Sequence, residues 1–309
     1  MSSKPAYPPD VFVSLNELLG MELLAKGFSF LAKKQRVKSI LGGKHASKLR
    51  GRGLDFEEVR NYVAGDDIRN IDWKVTARTK KTHTKVFSEE KERPVLIVVD
   101  QSKSMFFGSQ KYTKSVVAAK LAALTAFRVI KEGDRVGGVV FADNGIDFVL
   151  PKRNKKNVLQ FFEKIVERNH QLKDSNPVIF EEALKEIFIK IKNVVTHDYL
   201  IIIISDFLRY HPELIKFISQ ISKHNDLILA KVYDPMERTI PNEKIIAGDG
   251  IKQLVLDGKN SLIRQKITSS FDENYNNFKS QMRKYRIPII LVDTIVEIDE
   301  QLKEILKGN

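Results

Sequence analysis

The sequence contains no cysteine, which excludes a disulfide framework, a thiolate metal site and a cysteine nucleophile and is typical of a reducing compartment. Long hydrophobic runs are also absent, because the purest one, Leu200 to Ile204, is far shorter than the roughly 20 residues that a bilayer requires. Between Ser14 and Leu31 charged residues interrupt the apolar ones at helical spacing, which indicates an amphipathic helix and not a signal peptide. We therefore expect a cytoplasmic protein without a membrane span.

Three common catalytic patterns are missing as well. The histidines show neither His-x₃-His nor His-Glu-x-x-His spacing, so they indicate no zinc site. No Gly-x₄-Gly-Lys-Ser/Thr loop is present to bind nucleotide phosphates. Ser205 does not lie in a Gly-x-Ser-x-Gly elbow. These absences argue against a zinc hydrolase, a P-loop ATPase and a serine hydrolase.

The composition, with 42% hydrophobic and 29% charged residues among 309, is that of a soluble globular protein. The formal net charge of +13 indicates an acidic or polyanionic partner, or only a solvated basic face. The densest basic stretches, Lys33 to Lys48 and Arg78 to Lys85, lack the interleaved aromatic residues of a platform for single-stranded nucleic acid. We favour the solvated face and expect no specific nucleic-acid ligand.

The pattern of the chain changes near residue 93 and predicts two parts, residues 1–93 and residues 94–309. The first part is an extension without strand–helix alternation, in which Trp73 to Ala77 and His83 to Phe87 predict a β-hairpin after the N-terminal helix. The second part alternates apolar strands with helices, which predicts an α/β fold with a doubly wound, mostly parallel sheet. A polar excursion is expected from Asp234 to Asn260, and a helix from Phe271 to Lys284.

The strands of this sheet are predicted from short apolar runs, which are typical of strands buried on both faces. The parallel strands are predicted at Val95–Asp100, Val136–Phe141, Tyr199–Ile204, Leu227–Val232 and Ile287–Val292, with Ile146–Leu150 as an antiparallel edge strand.

Two of these strands end in loops rich in oxygen ligands. One loop supplies Asp100, Ser102 and Ser104 at alternate positions, and the other supplies Asp206 after Ser205. Ligands of such sheets bind outside the carboxyl ends of the strands. If the two strands are neighbours, the side chains form an all-oxygen set that suits Mg²⁺ or another divalent cation. The alternative is structural: Asp100 and Ser102 only cap the following turn by accepting backbone N–H bonds.

The two loops resemble the metal-ion-dependent adhesion site of von Willebrand factor A domains. The matching residues are Asp100 to Met105 and, downstream, Ser205-Asp206-Phe207. A longer segment is more specific, because it resembles the signature of the bacterial family called domain of unknown function 58. Its matching residues are Gly51-Arg52-Gly53-Leu54-Asp55-Phe56-Glu57-Glu58-Val59-Arg60, Gly65 to Trp73, Ala77-Arg78-Thr79 and Gly133 to Gly137. The resemblance covers most of the chain from about Leu41 onward.

The family resemblance implies a von Willebrand factor A-like fold and a protein partner. Members of the family are typically encoded beside MoxR-type AAA+ ATPases and are thought to act as adaptors or co-chaperones in the assembly or activation of other proteins. In von Willebrand A domains an acidic residue of the partner completes the coordination of the metal, which then bridges two proteins without catalysis. The implied metal ligands are Asp100, Ser102, Ser104 and Asp206. Related sites also use a threonine, but its position falls near Val178, and Ser175 is the possible substitute.

The charged segment from Asp55 to Arg78 admits two interpretations. A functional interpretation makes it the recognition surface for the ATPase, formed by Glu57, Arg60, Asp66, Asp67, Arg69 and Asp72. A structural interpretation makes it an internal ion-pair network, with Trp73 and Phe56 as packing anchors. Charges that alternate so closely in sign tend to pair with each other, so we favour the structural interpretation.

A phosphoryl-transfer enzyme is the alternative function of a different class. An aspartate after the first buried strand can act as a nucleophile with Mg²⁺, and Asp100 has this position. Haloacid-dehalogenase-like phosphatases need a second aspartate two residues later as the general acid, where this chain has Ser102. We therefore expect a non-catalytic interaction protein.

Overall fold

The computed structural model describes residues 8–25, 54–89, 92–174, 180–208, 212–248 and 253–307. Contacts divide the chain into two compact units, of which the smaller is Lys33–Glu92 and the larger combines Met1–Ala32 with Arg93–Asn309. Each unit is described by itself. Among the described residues no helix is both long and apolar enough to cross a bilayer.

The helices and strands alternate along most of the chain, with short 3₁₀ turns at Ile68–Asn70 and Lys103–Met105. In chain order they are α1 (Leu15–Leu24), β1 (Leu54–Asn61), α2 (Trp73–Thr79), β2 (His83–Glu89), β3 (Pro94–Asp100), α3 (Lys114–Lys131), β4 (Arg135–Ala142), β5 (Gly145–Lys152), α4 (Lys155–Gln171), α5 (Phe180–Val194), β6 (Leu200–Ser205), α6 (Pro212–Ile221), β7 (Asp226–Tyr233), α7 (Pro235–Arg238), β8 (Lys244–Gly248), β9 (Gln253–Asp257), α8 (Ser261–Lys284), β10 (Ile289–Asp293) and α9 (Ile298–Lys307).

The larger unit is built on a six-stranded sheet in the order β10-β7-β6-β3-β4-β5. Neighbouring strands are parallel except at one edge, where β5 runs antiparallel to β4. All seven residues of β3 are buried, as expected for a central strand that is covered on both faces. The predicted α/β fold with a mostly parallel sheet is confirmed, including the antiparallel edge strand.

Helices cover both faces of this sheet. On one face, apolar residues of α1, α3, α4 and α9 form a single core with the inward side chains of the strands, among them Leu121, Phe162 and Leu302. On the other face, α5, α6 and α8 form a second core that includes Ile191, Ile218 and Phe278. This two-sided burial explains why the strands appear in the sequence as nearly continuous apolar runs.

The N-terminal helix α1 belongs to the larger unit and packs mainly on α3. Ser14 and Glu17 form a reciprocal capping box that fixes where the helix begins. Val13 and Leu18 are fully buried in the first core. The chain therefore divides differently from the predicted parts 1–93 and 94–309, because apolar burial joins the first helix to the sheet. Of the predicted helix from Ser14 to Leu31, residues after Ala25 lie outside the described residues.

The smaller unit holds a two-stranded sheet, but its strands differ from the predicted hairpin. β2 pairs with β1, whereas Trp73 to Ala77, predicted as a strand, lie in the helix α2. Asp72 caps this helix by accepting hydrogen bonds from the N–H groups of Lys74 and Val75 at 3.0 and 3.1 Å. Tryptophan, valine and threonine favour strands. The Asp72 cap, however, binds N–H groups of the first turn that would otherwise lack a partner, and this stabilises a helix here.

The segment predicted as a polar excursion, Asp234 to Asn260, contains the short helix α7 and the hairpin of β8 and β9. Helix α8 also begins earlier than the predicted Phe271. Its cap is Asn260, whose side chain accepts a hydrogen bond from the N–H of Leu262 at 2.9 Å. The buried residues of α8, Phe278 and Met282, lie in its second half. Ile263, Ile267 and Phe271 continue the helical spacing toward the N-terminus but are only partly buried.

A close approach between β4 and α4 leads to a stability prediction. A Cβ atom added to Gly138 would lie 2.0 Å from the ring of Phe161, which is buried. We expect Gly138→Ala to lower the free energy of unfolding by about 1–3 kcal/mol, because overpacking forces the ring or the strand to move. Urea denaturation measures the change.

The matched control is Gly20→Ala in α1, where an added Cβ meets no atom within 4 Å. This change should leave the free energy of unfolding unchanged or raise it by up to about 1 kcal/mol, because alanine favours a helix. A Gly138→Ala protein as stable as the wild type would contradict the packing described.

Candidate functional site

The loops after β3 and β6 meet at the carboxyl edge of the sheet. These two strands are parallel neighbours, although β4 and β5 separate them in the chain. The chain leaves β3 toward β4 on one side and later returns to β6 on the other, so a crevice opens between their ends. The Oγ of Ser205 donates a hydrogen bond of 2.6 Å to Oδ2 of Asp100. The strand order therefore brings the two predicted loops into direct contact.

Asp100 is a buried carboxylate, with only 1% of its surface exposed. Its Oδ1 accepts a hydrogen bond of 2.8 Å from the N–H of Ser102. Burial raises the pKa of Asp100 to about 7, and the negative charge of Asp206 adds to the increase. A cation beside Asp100 would oppose both effects.

Ser102 places its hydroxyl group near this carboxylate, and Ser104 adds a second hydroxyl group beside that of Ser102. The Oγ atoms of Ser102 and Ser104 are 3.2 Å apart. Ser102 stands at the N-cap position of the turn Lys103–Met105, but its side chain makes no capping hydrogen bond. The structural alternative was that Asp100 and Ser102 only cap the following turn. Asp100 does accept a backbone N–H bond of this turn, but the Ser102 hydroxyl does not.

A buried amide network holds the first loop in place. The side chain of Gln101 donates to the carbonyl of Ser115 and accepts from Asn169, both at 3.0 Å. Asn169 in turn accepts a hydrogen bond of 2.8 Å from the N–H of Val13. Gln101 and Asn169 are both fully buried. The network links α4 and the start of α1 to the loop, and no local sequence pattern indicates it.

Asp206, the acidic residue of the second loop, is paired with lysine. Its Oδ2 accepts a hydrogen bond of 2.8 Å from Nζ of Lys114, the first residue of α3. Its Oδ1 accepts one of 3.0 Å from the N–H of Leu208, and Nζ of Lys231 donates to its backbone carbonyl. Burial acts to raise the pKa of Asp206, but the Lys114 ammonium outweighs it and the pKa is lowered. No sequence pattern indicates that Lys114 or Lys231 belongs to this site.

The donor set fits a divalent cation on the side of the first loop. Asp100, Ser102 and Ser104 offer only oxygen atoms, which hard cations prefer. Asp206 fits less well, because its carboxylate already binds an ammonium. Among the described residues no group of three or more histidine, aspartate or glutamate side chains could hold a metal ion, so such a site depends on the serine hydroxyls. Ser175 and Val178 lie outside the described residues.

An apolar groove lies beside the second loop. Its volume is about 810 Å³, and it is formed by the loop after β6, by β9 and by α8. The lining residues include Phe207, Leu208, Leu254, Leu256, Phe271 and Tyr275. Leu208 and Leu254 leave 59% and 63% of their surfaces exposed, so the groove presents apolar side chains to solvent. Lys231 and Lys266 contribute positive charge to the lining, and Glu237 contributes negative charge.

A family model described as "Protein of unknown function DUF58" matches residues 58–275. The chain belongs to this family. Uncharacterized proteins of Mycobacterium bovis and Mycobacterium tuberculosis are 36% identical over 110 residues, which are 36% of this chain and 35% of each relative. The chain thus matches only about a third of the length of these curated relatives. The predicted family is confirmed.

Solved structures with similar folds share little sequence with the chain. An aerotolerance-related membrane protein of Bacteroides fragilis has 17% identity and a TM-score of 0.39, over 70% of this chain and 97% of that chain. The SpRpn10 VWA domain has 10% identity and a TM-score of 0.35, over 69% of this chain and 95% of that chain. These low scores carry no functional argument, and the architecture rests on the sheet topology itself.

The charged family signature in the smaller unit contains local ion pairs. Arg60 binds both carboxylate oxygens of Asp66 at 2.8 and 2.7 Å, and Arg69 binds Asp67 at 3.1 Å. Asp72 caps α2, as described above. These contacts agree with the structural interpretation of the segment. Trp73, however, is 69% exposed, which does not fit a packing anchor. The side chains of Phe56 and Glu57 lie outside the described set.

The contact between the two loops generates a prediction about Ser205. We expect Ser205→Ala to lower the free energy of unfolding by about 1–3 kcal/mol, because the buried Asp100 carboxylate loses a hydrogen-bond donor. Chemical denaturation in a chelating buffer measures this cost without any metal contribution. Ser219→Ala is the control, since that hydroxyl bonds only to the carbonyl of Lys216 on an exposed helix face. Equal stability of the two variants would speak against a structural role for the loop contact.

Proposed function

We propose that this chain is a non-catalytic protein-interaction module that binds its partner at the carboxyl edge of the sheet. A divalent cation such as Mg²⁺, held by Asp100, Ser102 and Ser104, supplies when bound a positive centre for an acidic side chain of the partner. The partner is an AAA+ ATPase of the MoxR type, for which the chain acts as an adaptor or co-chaperone.

The observation that carries this proposal is the hydrogen bond between Ser205 and Asp100. It joins two loops that lie far apart in the chain and places them at the crevice where α/β sheets bind ligands. The Asp100 carboxylate in this bond is buried, and its neighbour Asp206 is also a buried acidic residue. A cation stabilises such an arrangement, because it offsets both the desolvation of the anion and the repulsion between the carboxylates.

The groove beside Asp206 supports a protein as the bound partner. Its apolar lining suits a segment that inserts aliphatic or aromatic side chains, and Lys266 suits an acidic residue in that segment. The formal net charge of +13 favours an acidic partner surface as well. We therefore expect the ATPase to offer a segment with apolar side chains next to a carboxylate.

Family membership supports the choice of an ATPase, because the genes of family members typically lie beside genes for MoxR-type AAA+ ATPases. The family resemblance also implies that an ion at this site bridges proteins and does not act in hydrolysis.

The metal part of the proposal predicts that Mg²⁺ stabilises the folded wild-type protein. A ligand that binds only the folded state adds about 2.7 kcal/mol at 100 times its dissociation constant, so the melting temperature should rise from chelating buffer to MgCl₂. Asp100→Asn removes the anionic ligand and should abolish this rise. Differential scanning calorimetry gives both shifts.

Glu163→Gln is the matched control for the charge change, because Glu163 is exposed on α4. This variant should keep the full response to Mg²⁺. An Mg²⁺ response in Asp100→Asn as large as in the wild type, or none in the wild type, would refute metal binding at this loop.

The partner part predicts that an AAA+ ATPase is recovered with the wild-type protein from a lysate of the native host and identified by mass spectrometry. Asp100→Ala, added chelator and Leu254→Asp in the groove should each reduce the recovery strongly, because each removes a part of the proposed surface. Ile189→Asp is the control, since Ile189 is equally exposed but lies on α5. Equal recovery with all variants would move the docking surface elsewhere, with the segment from Asp55 to Arg78 as the next candidate.

A further inference from the structure

Lys114 is a lysine whose side chain is only 1% exposed. Its ammonium contacts two carboxylates, Asp206 at 2.8 Å and Glu237 at 2.6 Å. Burying an ammonium is costly unless it is paired and hydrogen-bonded. The two contacts meet this requirement, and they bring an acidic group of α7 to the loop after β6.

Each of the two carboxylates is also anchored by a bond that does not involve the lysine. The second oxygen of Glu237 accepts a hydrogen bond of 3.1 Å from the N–H of Asp234, as part of a capping box. Asp234 is held by the N–H of Ser109 and by the hydroxyl of Thr294. The other oxygen of Asp206 accepts from Leu208. One oxygen of each carboxylate is thus fixed toward a common point, which the Nζ atom of Lys114 occupies.

The charges around this point are balanced without a metal ion. Lys231, which donates to the carbonyl of Asp206, contributes a second ammonium. Two carboxylates and two ammonium groups give a net charge of zero. Asp100 lies outside this balanced group, so an added cation would offset the charge of Asp100 and not that of Asp206.

We propose that the Lys114 ammonium is the resident cation on the Asp206 side of the site. It holds Asp206 and Glu237 together as a divalent ion would, so the loop after β6 is assembled without metal. Lys114 is therefore a positioning residue, and it prevents Asp206 from ligating a divalent ion directly. The inference refines the proposed function, since it assigns the exchangeable metal to Asp100, Ser102 and Ser104 alone.

Replacing the ammonium by a neutral side chain tests this role. Lys114→Met keeps much of the side-chain volume but leaves two anchored carboxylates with unbalanced charge. In chelating buffer this variant should melt below the wild type, and MnCl₂ or MgCl₂ should restore part of the loss. Calorimetric titration in the Asp100→Asn background, which lacks the first site, should show Mn²⁺ bound about tenfold more tightly with Lys114→Met than without it, because the divalent ion replaces a monovalent charge at the same point.

Three further variants locate the gain. In the Lys114→Met background, Asp206→Asn or Glu237→Gln should abolish the added affinity, whereas Asp100→Asn should leave it. Lys114→Arg, which retains the charge, should bind Mn²⁺ no more tightly than the wild type. If Lys114→Met is recovered only as aggregate, refolding with and without MnCl₂ gives the answer: recovery that depends on the ion supports the role of Lys114, and failure in both buffers overturns it.

Affinity in Lys114→Met no greater than in the wild type would also overturn the inference. This result would leave the proposed function intact, because that function depends on Asp100. Conversely, a wild type that does not bind Mg²⁺, together with the gain in Lys114→Met, would contradict the proposed metal at Asp100 and uphold the role of Lys114.

Discussion

The site depends on the burial of the Asp100 carboxylate between two loops of the sheet. Its hydrogen bond to Ser205 exists because β3 and β6 are parallel neighbours, with β4 and β5 placed to one side. The carboxylate accepts hydrogen bonds, but its burial still disfavours the charged form and raises its pKa to about 7. The amide network of Gln101 and Asn169 fixes the first loop from behind. A positive charge at this edge of the sheet would therefore stabilise the ionised form of Asp100.

The two sides of the crevice differ in the groups that surround their buried carboxylates. On the second loop, lysine side chains from α3 and β7 balance Asp206 and Glu237. On the first loop, the side chains next to Asp100 are the serine hydroxyl groups, whose oxygen atoms are suitable cation ligands but carry no charge. An exchangeable ion at Asp100, next to an apolar groove, would make partner binding depend on both metal and apolar contact. The Lys114 ammonium at Asp206 would keep this surface assembled when the ion is absent.

Much of the larger unit could be predicted from the sequence, because its strands are apolar runs and its loops follow them directly. Asp100 and Asp206 were located for this reason, whereas the family was predicted mainly from the charged signature between Gly51 and Thr79. Lys114 was not predicted, because a lysine at the start of a helix looks like any solvated residue until Asp206 and Glu237 are seen beside it. The helix α2 was missed because one cap, Asp72, outweighed residues that favour strands. The first half of α8 was not predicted, although Ile263, Ile267 and Phe271 have helical spacing, because the many polar residues between them resemble a loop.

The central claim is that a divalent ion binds at Asp100. The most direct measurement is anomalous X-ray scattering from crystals grown or soaked in MnCl₂. If the ion binds there, an anomalous peak lies about 2.1–2.2 Å from an oxygen of Asp100, with the hydroxyl oxygens of Ser102 and Ser104 among its neighbours. Saturating Mn²⁺ without a peak at Asp100, or with a peak only at other carboxylates, would contradict it.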